Sequence, residues 1–141
     1  MGLSLEELRA FLAREFPQST VTVEAAGQGS ARVRQPVDER HLRPGGTVSG
    51  PTLAAVADVA LYAAILAEIG AVALAVTTNL TLNFMRRPPA GRDLVGHCKL
   101  LKLGRRLAVG EVYIYSDGIE DPVAHAVGTY SIPPPERGGP A

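Results

Sequence analysis

The sequence predicts an α+β fold in which a long antiparallel β-sheet wraps around one buried central α-helix, with a short amphipathic helix ahead of both. Three observations carry this. Residues 53–69 form an apolar run interrupted by only two charges, Asp58 and Glu68. Two runs before it and the first of four after it alternate apolar and polar residues, the period of a half-buried strand, and the other three are strand-like. Turn residues separate the four later runs, so a meandering sheet around one helix fits the order better than alternating βαβ units.

The central helix has a start and a stop. Pro51 suits the first turn, where its missing N–H is not needed. Ser49, Gly50 and Thr52 are candidate caps around it, and Gly70 is a candidate C-terminal stop. A helix apolar on all sides is a buried one. Its body spans about 25–28 Å at 1.5 Å per residue, and Asp58 interrupts it, so it falls short of a membrane span.

Ahead of it, Ser4 and Glu7 match a capping box. Leu5, Leu8, Leu12 and Phe16 follow at helical spacing up to Pro17. Residues 20–25 and 30–35 alternate, with Gly27 and Gly29 between them, and read as two antiparallel strands. Residues 38–46 contain Pro44, Gly45 and Gly46 and read as a loop. After Gly70, strands are expected over 71–84, 93–102, 106–116 and 123–132. In the first of these, Thr77, Asn79, Thr81 and Asn83 make the wetter face. The exposed edges of such a sheet need covering or pairing, which a homodimer joining two sheets edge to edge achieves.

Composition bounds the function. The 141 residues read as one domain over 1–132 and a Pro/Gly-rich, disordered tail over 133–141. Fourteen basic and fourteen acidic residues cancel, which gives no support for a nucleic-acid partner. Cys98 is the one cysteine, so no intramolecular disulfide forms and no oxidising compartment is required. The acidic, amphipathic start lacks the basic region of a secretory signal. A cytoplasmic protein without a membrane partner is expected.

Asp58 is the residue that needs explaining. It lies two turns into the helix, too deep to cap it, and an isolated buried carboxylate is costly. Either it reaches a cleft or an arginine, or it is a functional carboxylate in a partly apolar pocket.

Residues 41–50 (His41 and Arg43 through Ser49 and Gly50) followed by Asp58, Val59 and Ala60 resemble the PaaI-like branch of the hotdog-fold acyl-CoA thioesterases. The segments 82–88, 102–106 and 124–130 resemble that family too. The resemblance implies a hotdog fold, a homodimer or homotetramer with its site at the subunit interface, and hydrolysis of an acyl-CoA thioester. It places the acid that activates water or attacks the thioester carbon at Asp58. The backbone N–H that polarises the carbonyl falls at Gly50. The chemistry suits these residues: a helix N-terminus offers unpaired N–H groups to an oxyanion, and a carboxylate serves as base or nucleophile. On one helix the two lie about 12 Å apart along the axis, and the resemblance implies that the opposing subunit closes that gap.

Three positions depart from the family pattern. Arg43 stands where Asn is usual, and Ser49 and Pro51 stand where His and Gly flank the glycine. Ser49 can hydrogen-bond a carbonyl or cap the helix but cannot titrate like His. Pro51 has no N–H, which leaves Gly50 or Thr52 as oxyanion donors. Arg43 suits a carboxylate or phosphate partner. These departures also fit a second function, a non-catalytic module that binds an acyl thioester.

Tyr62 lies one turn after Asp58 on the same face. It either orients water and lines the acyl pocket or is a core tyrosine with its hydroxyl satisfied. Thr77 and Thr78 open the wetter strand and are candidates to face the thioester. Arg86, Arg87, Arg105 and Arg106, with Lys102, suit the phosphates of coenzyme A or a solvated surface. His41, His97 and His125 show no metal spacing, and with one cysteine they give no zinc pattern. No metal or redox cofactor is expected.

Overall fold

In the computed structural model, which describes residues 2–134, helix α1 (Leu5–Glu15) begins on the capping box. The Glu7 N–H donates to Ser4 Oγ at 3.1 Å and the Ser4 N–H to Glu7 Oε1 at 2.9 Å. Its buried face carries Leu8 and Phe11. Strands β1 (Thr22–Gly27) and β2 (Ser30–Gln35) follow as a hairpin. The tail expected over 133–141 lies, from residue 135 onward, outside the described residues.

Residues 38–46 are more ordered than the loop expected from sequence. Asp38 caps a 3-10 turn over Glu39–His41, and Leu42–Arg43 (β3) pairs with Thr47–Val48 (β4). A two-residue ladder is too short to leave a period in the sequence. Next come α2 (Gly50–Ile69) and strands β5 (Val76–Phe84), β6 (Leu94–Leu103), β7 (Leu107–Ser116) and β8 (Ala124–Ser131). The strand expected from residue 71 starts at Val76, because the chain leaves α2 through Gly70 (φ 96°) and turns once more, with the Ala75 N–H on the Val72 carbonyl.

The long strands form one antiparallel sheet in the order β1-β2-β6-β7-β8-β5. It wraps α2, whose twelve buried residues include Leu53, Val56, Leu61, Ile65 and Leu66. By length and composition alone α2 could cross a membrane, but here its apolar surface is the core of the sheet. Its second charge, Glu68, reaches back to accept from the Gly29 N–H at 3.0 Å, at the β1–β2 turn.

The helix lies close to the sheet because paired glycines face it. Gly110 on β7 sits opposite Gly128 on β8, and Leu61 fills the space above both. A Cβ at Gly110 would stand 2.7 Å from Leu61 Cδ2, and one at Gly128 would collide with Leu61 Cδ1. Overpacking of this kind costs about 1–3 kcal/mol. Gly128→Ala should therefore lower the melting temperature clearly; an unchanged melting curve would show that α2 shifts freely on the sheet.

Candidate active site

The fold places Asp58 at one end of the last strand. Its Oδ1 accepts from Thr77 Oγ1 on β5 at 2.5 Å and from the Tyr130 hydroxyl on β8 at 2.7 Å. The Tyr130 hydroxyl also lies 3.1 Å from the Asp58 carbonyl. Among the described residues Oδ2 has no hydrogen-bond partner and Asp58 forms no ion pair. The arginine pairing left open by the sequence is thus absent there, and the carboxylate is half-buried in a cleft. Two hydroxyls orient it through Oδ1 and leave Oδ2 open to the cleft.

Tyr130 is not among the candidates the sequence yields, although it lies in one of the segments that carry the resemblance. Seventy-two residues separate it from Asp58; the packing of α2 on β8 brings them together, and the pairing of β5 with β8 sets Thr77 beside Tyr130. Burial, and then the nearby Asp58 charge, push its phenol well above the usual tyrosine range, so it stays a proton donor. Tyr62 stacks on Tyr130 with ring centroids 5.9 Å apart, and its hydroxyl donates to the Ala73 carbonyl at 3.0 Å. That is the satisfied tyrosine of the two readings, placed on the wall of the Asp58 cleft. Burial, with Glu15 and Asp58 behind it, raises its phenol as well.

The start of α2 is built from Ser49. Its Oγ caps the Thr52 N–H at 3.4 Å and lies 2.9 Å from Thr52 Oγ1, while the Leu53 N–H bonds the Ser49 carbonyl. Pro51 has no N–H. Among the described residues, the first-turn N–H left without a protein partner is that of Gly50. Of the two donors the sequence offers, Gly50 is therefore the one whose N–H is free. A Cβ there would rest 3.4 Å from the Phe84 ring, at the opposite end of β5 from Thr77.

Over more than half of the chain this architecture has a known counterpart: residues 45–123 match the family described as Thioesterase superfamily. The chain belongs to the thioesterase superfamily. It is 34% identical over 97 residues to a candidate esterase of Pseudomonas aeruginosa, covering 69% of this chain and 71% of that one. A candidate thioesterase from Silicibacter sp. TM1040 superposes with a TM-score of 0.86 at 53% identity, over 94% of this chain and 93% of that one. A variant of the phenylacetic acid degradation protein PaaI from Thermus thermophilus superposes with a TM-score of 0.69 at 27% identity, over 87% and 98% of the two chains. The protein is thus a thioester hydrolase of the PaaI-like hotdog branch, as its sequence motifs implied.

The other candidates of this thioesterase scatter. Thr77 touches Asp58, but Thr78 sits at a bulge and donates to the Thr129 carbonyl at 3.3 Å. Arg43 is exposed on β3. Arg86 lies 3.6 Å from Asp121, and with Arg87 it follows the Phe84 end of β5. Arg105 and Arg106 occupy the β6–β7 turn, at the Thr77 end, and Lys102 is exposed beside them. One chain therefore does not form a single basic patch from these groups. His125, without an acid partner in local sequence, finds Glu111 at 2.9 Å across the β7–β8 ladder. Among the described residues no cluster of three His, Cys, Asp or Glu suits a metal.

Proposed function

We propose that the protein hydrolyses acyl-CoA thioesters in a homodimer, with Asp58 of one subunit and the Gly50 N–H of the other acting on the same carbonyl. The observation that carries this is the layout of β5. The strand is an edge of the sheet. It bonds Asp58 at Thr77, near its start, and touches Gly50 at Phe84, its end. Two copies of an edge strand paired antiparallel about a two-fold axis lie head to tail. Each Thr77 end then meets the partner's Phe84 end, and Asp58 faces the partner's Gly50. The same operation carries the partner's Arg86 and Arg87 to the end that holds Arg105 and Arg106, which gathers cations for the phosphates of coenzyme A. Pairing also covers the apolar side chains now open on this edge, Val76 (54% exposed) and Phe84 (59% exposed).

In the reaction Asp58 Oδ2 takes a proton from an attacking water or itself attacks the thioester carbon. The carbonyl oxygen gains charge and is held by the Gly50 N–H at a helix N-terminus. Collapse breaks the C–S bond, and the thiolate of coenzyme A leaves and takes up a proton; the water route gives the free acid directly, and the direct attack leaves a mixed anhydride on Asp58 that a water then hydrolyses to the acid. Thr77 and Tyr130 hold the carboxylate in line throughout. The test is free-thiol release from a panel of acyl-CoAs by the folded dimer. Saturable turnover supports the reading; tight binding without release anywhere on the panel would overturn it in favour of a binding module.

Tyr130→Phe removes one donor to Oδ1 and keeps the ring stack. Hydrogen bonds to charged groups contribute about 1.5–3 kcal/mol, so kcat should fall by about tenfold or more with KM little changed. Tyr62→Phe, whose hydroxyl bonds Ala73 instead, should have a much smaller effect; equal losses would show that ring packing alone matters.

A further inference from the structure

Phe16 stands where three cavities meet. One, of about 530 Å³, holds Asp58, Tyr62, Thr77 and Tyr130. A second, of about 480 Å³, runs from Ser49 and Thr52 along α2 to Asp58 and on to the start of β1. The third, of about 610 Å³, lies between α1 and β1 and is lined by Leu12, Ala13, Phe16, Val21, Val23 and Val59. The first two share Asp58, and the second and third share Phe16, Ser19, Val21 and Val59. Phe16, on the wall of all three, is thus the boundary between the carboxylate's cavities and an apolar cleft that the chemistry described so far does not use.

We propose that this third cavity receives the acyl group of the substrate, and that Phe16 and Leu12 set the length of chain accepted. The inference rests on Asp58 acting at the thioester carbon. It commits the substrate to an apolar acyl chain long enough to pass Phe16. The cleft's volume lies in the range of small-molecule sites, about 300–1,000 Å³. Its one cation, Arg9, is turned to β1, with Nε donating to the Val23 carbonyl at 2.8 Å. Phe16 is held in place: its N–H bonds the Leu12 carbonyl at 2.8 Å and its carbonyl accepts from the Ser19 N–H at 3.2 Å. Leu12, one turn earlier, is half-buried, so a larger side chain there fills the cleft without touching Asp58.

The probes are S-alkyl coenzyme A thioethers from butyl to dodecyl, which have no carbonyl to hydrolyse. Calorimetry on the whole protein reads their affinity, and turnover of the matching acyl-CoAs is measured beside it. Wild type should gain about fourfold in affinity per added methylene while the cleft fills. Leu12→Trp should remove that gain for the longer chains and keep the butyl affinity. Phe16→Ala should move the kcat/KM profile toward longer chains. If Leu12→Trp fails to fold, Ala13→Phe blocks the same cleft from the neighbouring position. Absence of binding, affinity independent of chain length, or a slope unchanged by blocking overturns the proposal. Turnover without a chain-length slope rejects the cleft alone. A slope without turnover rejects the thioesterase mechanism and keeps the cleft.

Discussion

Asp58→Asn should leave a folded protein that releases almost no thiol from any acyl-CoA. The substitution is nearly isosteric. Its amide oxygen can still accept from Thr77 and Tyr130, the two donors now at 2.5 and 2.7 Å, so the end of β5 stays assembled. What changes is the other oxygen, which has no partner among the described residues and becomes an NH2 group. That group neither takes a proton from water nor attacks a carbonyl. Loss of a positioned base typically costs about 10²–10⁴ in rate. The fall should appear in kcat, with binding of alkyl thioethers intact, because the substrate's chain and phosphates are held elsewhere. Thiol release at the wild-type rate by a dimeric Asp58→Asn protein would remove Asp58 from the mechanism.

Two inactive variants should recover activity when their subunits are mixed. Gly50→Pro deletes the N–H proposed to hold the oxyanion at a position of the first helical turn that accepts proline. An added Cβ there meets the Phe84 ring only at 3.4 Å, an ordinary contact. Asp58→Asn lacks the acid and keeps the N–H. If each site takes its acid from one subunit and its N–H from the other, a mixed dimer has one site with both defects and one with neither. Random refolding of equal amounts makes half the dimers mixed, so about one quarter of wild-type activity should return in an isologous two-fold assembly. Recovery on that scale establishes a shared site. No recovery, with exchange of subunits shown by mass, would place acid and N–H in the same chain or remove Gly50 from the reaction.

The central helix was legible because its signals are local. Ser49, Pro51 and Gly70 bound it, and its apolar surface on every side required burial. Period-two runs gave the strands for the same reason, since alternation is a property of a few neighbours. Asp58 stood out as a charge with no reason to be in a core helix, and Gly50 followed from the resemblance. Strand pairing and the packing of α2 on the sheet are non-local, and they put Tyr130 against Asp58 and Gly110 opposite Gly128 under Leu61. The bulge at Thr78 turned one threonine of an adjacent pair toward the carboxylate's neighbour strand and left Thr77 on the carboxylate itself. A single register step reverses the face a side chain presents, and no propensity of Thr77 or Thr78 encodes it. The arginines divided between opposite ends of β5 and the β6–β7 turn for the same reason. Sequence determined the helix, its acid and the strands around it, because those depend on residues close in the chain. Tertiary structure decided which hydroxyls hold the acid, which N–H stays free and where the apolar cleft opens, because those depend on contacts between residues far apart in sequence.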